Sequence, residues 1–248
     1  MEQRQSDVPV GNHWLSTHEL DCLETMSFPK RRADWRLGRW TAKRALSVYL
    51  KVGCYPQSLA SIEIRPAASG APEAFLGGRP AAASISLSHS SGRALCAIAP
   101  RGTALGCDLE LIEPRSDAFV ADYFTTEEQA LVAQTSAQDR PSLLALLWSA
   151  KESALKALHE GLRLDTRSVT VSLRESALTS EWDRERYSEL SGLILRQQQP
   201  IWHPLAVRHT NGDVFQGWWQ QSGDLLLSLV AAPPPLPPIA LEVPTWNG

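Results

Sequence analysis

Two periodicities run along the chain, and the changes between them mark out its elements. From Pro29 to Leu50 apolar residues recur at helical spacing through Leu37, Trp40, Ala45 and Val48, and Pro29 suits a first helical turn. Residues 140–161, RPSLLALLWSAKESALKALHEG, form the clearest helix, with Ser142 as its cap and Gly161 as its end. Thr125 and Thr126 ahead of EEQALVAQ predict another, and Thr17–Met26 a short one. Shorter apolar or alternating runs at 61–64, 84–90, 93–100, 104–112, 168–173, 203–209 and 223–232 predict strands. Gly77, Gly78 and Pro80 predict a turn, residues 113–124 a loop, and the proline-rich stretch from 233 an extended, mobile tail. Helices and strands mixed in this way predict an α+β protein.

An internal echo suggests how these elements are grouped. WTAKRAL (40–46) resembles WSAKESAL (148–155), and SSGRALCAIAP (90–100) resembles QSGDLLLSLVAAP (221–233), in the same order. Two related halves follow: an N-terminal lobe over 1–104, a C-terminal lobe over 105–232, and the tail over 233–248. The strand 104–112 then opens the second half, at the seam where sites often form.

Composition narrows the function classes. Hydrophobic residues make up 43% and charged residues 21%, values of a globular protein. The net charge of −3 argues against nucleic acid as the partner of the whole molecule. Cys22, Cys54, Cys96 and Cys107 are scattered without metal-site or disulfide spacing, as in a reducing compartment. MEQRQSDVPVGNHW lacks the apolar core of a secretion signal, and no stretch has the length of a membrane span. A cytoplasmic protein is expected.

The candidate chemistry centres on ALGCDLELIEP (104–114). Side chains on a strand alternate faces, so Asp108 and Glu110 point the same way. They are either the solvated face of an edge strand or ligands of a hard cation such as Mg²⁺, which takes carboxylates and substrate phosphate. In the helix at 140–161, Glu152 and Lys156 lie four apart: an ordinary exposed pair, or a third carboxylate beside a phosphate-binding lysine. Arg32, Arg36, Arg39 and Lys43 form one stripe of the first long helix, with Trp35 placed to stack on Arg39. That stripe is a solvated basic face, a nucleic-acid contact, or a grip for a small molecule carrying several phosphates; the overall charge favours the last over nucleic acid. Arg79 in GGRP and His89 between Ser88 and Ser90 add turn donors, although a lone histidine is often structural.

Taken in order, these stretches resemble the 4′-phosphopantetheinyl transferase superfamily. GCDLE followed by WSAKESALK matches the bipartite pattern G-x-D-x-E and W-x-x-K-E-x-x-x-K, and RRADWRLGRWTAKRAL, GRP and SLSHS resemble upstream elements of the long, two-lobed (Sfp-type) form. The resemblance implies two similar α+β lobes in pseudo-twofold arrangement with the site in the cleft between them. It implies transfer of the phosphopantetheine arm of coenzyme A to a serine of an apo acyl or peptidyl carrier protein, with release of adenosine 3′,5′-bisphosphate. Asp108, Glu110 and Glu152 would hold Mg²⁺, or Mn²⁺ in its place. Glu152, Lys156 and Asp108 would be catalytic, and Arg39, Lys43, Arg79, Ser88, His89, Lys151 and Lys156 would bind coenzyme A, with Arg32 and Arg36 as weaker carry-overs. Phe119, Val120, Tyr123 and Phe124 would meet the carrier. A monomer is implied, and one metal site per chain, because Arg44 stands in the first half where Glu152 stands in the second. The competing reading is a coenzyme A-binding regulator without turnover.

Overall fold

The structure, a computed structural model, describes residues 1–173 and 201–241. It is an α+β protein with three antiparallel sheets. Strands β1 (Glu2–Arg4), β2 (Ile62–Pro66), β3 (Pro72–Leu76), β4 (Arg79–Pro80), β5 (Ala83–Ser90) and β6 (Arg93–Pro100) make two three-stranded sheets, in the orders β1-β6-β5 and β2-β3-β4. The third sheet runs β7-β11-β10-β9-β8, from β7 (Ala104–Leu111), β8 (Val169–Ser172), β9 (His203–His209), β10 (Val214–Ser222) and β11 (Leu225–Ala232).

Helices α1 (Thr17–Glu24), α2 (Pro29–Tyr49) and α3 (Pro56–Ala60) accompany the first two sheets. Helices α4 (Asp117–Tyr123), α5 (Thr126–Gln134) and α6 (Arg140–Ala157) accompany the third. Two of these were not read from sequence: α3, and α4, which Ser116 caps within the segment expected to be a loop. Helix α6 ends at Ala157, before Gly161, and Ser142 lies inside it, so Asp139 and not Ser142 is the N-cap residue. Among the described residues no helix is long and apolar enough to cross a membrane.

Burial organises the two long helices. Leu37, Trp40, Ala42, Ala45 and Leu46 of α2 are buried, and all but Leu37 join one core with Ile62, Ile64, Ile85 and Cys96. Leu144, Leu147, Ala150, Ala154 and Leu155 of α6 form a second core with Val169, Leu205, Val207, Leu226 and Val230. Strand β7 serves both sides. Its Cys107 and Leu109 pack with Leu95, Leu225 and Leu227, while its alternate residues face α6.

Strand β7 lies beside β5. Side chains make this contact: Ser86 Oγ accepts from the Cys107 amide at 2.9 Å, and Cys107 Sγ donates to the Ser86 carbonyl at 3.2 Å. The described part of the proline-rich segment is anchored, which corrects the expectation of a mobile tail there. Trp218 Nε1 donates to the Pro235 carbonyl at 3.2 Å, and Leu241 packs against the first core. Residues 242–248 lie outside the described part.

The echo has a structural counterpart in two buried ion pairs of one design. Glu19 completes a capping box with Ser16 at the start of α1, accepts the Ile64 amide of β2, and pairs with Lys43 of α2. Glu128 completes a capping box with Thr125 at the start of α5, accepts the Val171 amide of β8, and pairs with Lys151 of α6 at 2.7 Å. Lys43 also donates to the Trp14 and Leu59 carbonyls, and Lys151 to those of Thr166 and Val169. Each lysine thereby fastens a long helix to a capped short helix and a strand. Breaking such a pair costs about 3–5 kcal/mol, because the surviving charge stays buried.

Candidate active site

The site begins with a glycine. A Cβ on Gly106 would stand 1.7 Å from the Ser153 carbonyl oxygen and 2.8 Å from the Ala157 nitrogen. Without it, β7 lies directly against α6. Two residues on, on the same face, the buried carboxylate of Asp108 meets the amine of Lys156, with Oδ1 2.6 Å from Nζ. Lys156 also donates to the Cys107 carbonyl at 3.1 Å and stands 3.6 Å from Glu152 Oε2, one turn back on α6. Ser88 of β5 donates to the same Asp108 oxygen at 2.7 Å. Strands β5 and β7 and helix α6 therefore converge on Asp108. Its second oxygen, Oδ2, is buried with no hydrogen-bond partner.

Glu110 stands at the rim, where Arg115 pairs with it at 3.3 Å. Burial, and then the charges of Asp108 and Glu152, push the Glu110 carboxyl up to about 7, against the pull of Arg115 and a hydrogen bond from Trp148. Glu152 is likewise pushed up to about 7 by burial and then by Asp108, with Lys156 pulling the other way. Burial works against the charge of Lys156, but Asp108, Cys107 and Glu152 outweigh it and hold the ammonium up at about 12. Two cations, Lys156 within and Arg115 at the rim, thus sit among three acids that repel one another.

Such a set asks for more positive charge. The donors are all carboxylate oxygens, and one is already desolvated and unpartnered, so the residues fit a hard divalent cation. Among the described residues no three carboxylate, imidazole or thiol side chains stand together as a finished metal cage. Mg²⁺ needs few protein oxygens, because it keeps water and substrate phosphate as its other ligands.

The raised carboxyls set a direction with pH. A folded-state value above the ordinary 4.5 means that the fold binds more protons than the unfolded chain. Glu110 and Glu152 therefore favour folding at low pH, and this contribution is lost as pH rises through about 7. Adding Mg²⁺ or Mn²⁺ should raise the melting temperature little at pH 5.5 and markedly at pH 8. Melting curves with metal or chelator at both values check this; a gain that does not grow with pH would refute it.

The structure distributes the other expected residues unequally. Lys43 and Lys151, expected to bind coenzyme A, are corrected to buried structural lysines whose amines are fully enclosed by Glu19 and Glu128 and by carbonyls. Ser88 is nearly buried and engaged with Asp108. Arg79 and His89 are exposed on β4 and β5. Arg39 stacks on Trp35, 4.5 Å from its ring centroid, and reaches the Ile64 carbonyl. Arg32 donates to the Leu23 and Met26 carbonyls, and Arg36 to those of Pro9, Val10 and Gly11, so these two arginines tie down neighbouring chain. Of the expected carrier contacts, Val120 and Phe124 are buried in the core, which corrects their assignment. Tyr123 is exposed and Phe119 half-buried, and both rings meet Trp148 edge-on with centroids 5.1 Å apart. Sequence reading missed the packing role of Gly106 and all of Arg115; the glycine was visible as the first position of G-x-D-x-E.

Fold and cluster together define an α+β protein with an oxygen-rich, cation-seeking site at a strand–helix contact. Residues 104–195, which contain Asp108, Glu110, Glu152 and Lys156, match the family model of the 4′-phosphopantetheinyl transferase superfamily. The match runs on beyond Leu173 into residues outside the described part. No curated protein matches the chain.

Proposed function

We propose that the protein transfers the 4′-phosphopantetheine arm of coenzyme A to a serine of an apo acyl or peptidyl carrier protein, with Mg²⁺ or Mn²⁺ as cofactor. One observation carries this reading: within the segment matched to the superfamily, Lys156 lies between Asp108 and Glu152 while Asp108 Oδ2 is buried without a partner. Asp108, Glu110 and Glu152 would hold the metal, which when bound neutralises the coenzyme A pyrophosphate and orients it for in-line attack.

Glu152 accepts the proton of the carrier serine as its oxygen attacks the phosphorus that bears the pantetheine arm. The bond from that phosphorus to the bridging oxygen breaks, and adenosine 3′,5′-bisphosphate leaves. Lys156, protonated at neutral pH, offers its ammonium to the leaving phosphate. Ser88 holds Asp108 in orientation. The exposed Arg79 and His89 grip the nucleotide, and Arg39 adds positive charge.

The two recurring Glu–Lys posts support two similar lobes, with β5 and β7 meeting at the cleft between them and the Sfp-type arrangement as the closest description. Phe119 and Tyr123 form the carrier-facing surface. A monomer working in the cytoplasm fits one metal site per chain and four unpaired cysteines.

The test is intact-mass spectrometry of apo carrier proteins incubated with the protein, coenzyme A and Mg²⁺. Each served carrier should gain one phosphopantetheine arm, and chelation should abolish the gain. Coenzyme A binding without any gain would favour the regulator reading; absence of both would refute the assignment.

A further inference from the structure

Arg115 lies beyond the G-x-D-x-E stretch, on the turn between β7 and α4, and its surroundings are unusual for a surface arginine. Nη2 is 3.3 Å from Glu110 Oε2 and 3.2 Å from Glu113 Oε1, and the guanidinium carbon is 5.1 Å from the ring centroid of Phe119. Its side chain is 28% exposed and that of Glu110 17%, so the pair is partly withdrawn from water, where charges act on each other more strongly. The two cations of the cluster divide the work. Lys156 neutralises Asp108 and Glu152 from within, fixed by the Cys107 carbonyl. Arg115 neutralises Glu110 from outside, fixed by an aromatic face and a second, more exposed carboxylate.

A divalent cation bound through Glu110 meets this guanidinium directly. It must share the carboxylate with Arg115 or displace it, and in either case two like charges come close. Glu113 offers Arg115 an alternative partner when Glu110 is taken. We propose that Arg115 is a positioning residue and a built-in competitor of the metal. It holds Glu110 toward the cluster while no metal is bound, and it keeps metal affinity low until the substrate pyrophosphate brings compensating negative charge. This inference rests on the metal-site reading above.

The test measures Mn²⁺ binding to the free protein, without coenzyme A, by the loss of the free-ion electron paramagnetic resonance signal. Arg115→Ala should bind Mn²⁺ about tenfold more tightly than wild type, because a repelling charge is gone and Glu110 is left uncompensated. Arg115→Lys should stay near wild type, and Arg115→Gln, which keeps the length of the side chain, should tighten as alanine does. Coenzyme A should narrow the difference between Arg115→Ala and wild type. In parallel, the Mg²⁺ concentration giving half-maximal transfer should fall for Arg115→Ala.

Unchanged or weaker Mn²⁺ binding in folded Arg115→Ala and Arg115→Gln proteins would overturn the proposal while leaving the metal site standing. Asp108→Asn separates the two failures. If wild type binds no Mn²⁺, or Asp108→Asn leaves binding unchanged, the metal-site reading falls and the role of Arg115 falls with it.

Discussion

Replacing Asp108 by asparagine should lower carrier modification by on the order of 10³-fold or more while leaving the fold in place. The substitution keeps the shape of the side chain, and the Oδ1 that accepts from Ser88 and Lys156 survives as an amide oxygen. What disappears is the charge at the point where β5, β7 and α6 converge. The orphaned Oδ2 becomes the amide nitrogen, a donor that cannot serve as a ligand for a hard cation. Stability should change little, for two opposing reasons. Lys156 loses its nearest counter-ion, but Glu110 and Glu152, each raised in part by Asp108, lose a repelling neighbour. Intact-mass assays give the rate and thermal unfolding gives the stability. A folded Asp108→Asn protein that modifies carriers at the wild-type rate would end the proposed function; a variant that unfolds would instead show that the pair with Lys156 is needed for folding.

The parts of this site that could be read from sequence were those with a local signature. Alternation in 104–112 placed Asp108 and Glu110 on one face, and the helical run at 140–161 placed Glu152 and Lys156 one turn apart, because strand and helix periods depend only on spacing. Lys43 and Lys151 show where this stops. On a helical wheel they are charges like any other. Their burial is decided by Glu19 and Glu128, more than twenty residues earlier, which act at once as capping residues, strand acceptors and counter-ions. Ser16-x-x-Glu19 and Thr125-x-x-Glu128 have capping-box spacing; that the capping oxygen Oε2 of each glutamate also meets a lysine, while Oε1 takes a strand amide, is not written in that spacing. Helix α4 was hidden by its brevity and by Pro114 ahead of it, and strand β10 by Gly217 and the glutamines that break its apolar alternation. Ser88 was placed with the nucleotide because a turn of small polar residues suits an anion. Its hydroxyl points to Asp108 because β5 and β7 are neighbours, a relation no short stretch of sequence encodes.

Gly106→Ala should also damage transfer, by about 10²-fold and by a different route from the loss of Asp108. The methyl group would sit 1.7 Å from the Ser153 carbonyl oxygen, where no side chain can rotate away, since both the obstacle and the Ala157 nitrogen behind it are helix backbone. Strand and helix must separate by about an ångström or more. Overpacking of a core costs about 1–3 kcal/mol when side chains can yield, and here they cannot, so the cost should reach about 3 kcal/mol or more. For a chain of this size that is a fall of about 6–12 °C in melting temperature. The same displacement draws Asp108 away from Lys156 and Glu152, whose separations of 2.6 and 3.6 Å define the cluster. A shift of about 1 Å in catalytic geometry is worth about 10²-fold in rate. Gly38→Ala is the control. Gly38 sits within α2, a Cβ there would meet nothing within 4 Å, and the exchange should stabilise by about 0.4–1 kcal/mol. Thermal unfolding and intact-mass rates on the two variants should therefore move in opposite directions for stability, and only Gly106→Ala should lose transfer. Wild-type melting and rate in Gly106→Ala would mean that β7 and α6 do not approach so closely, and with that the account of how Asp108 reaches Lys156 would fall.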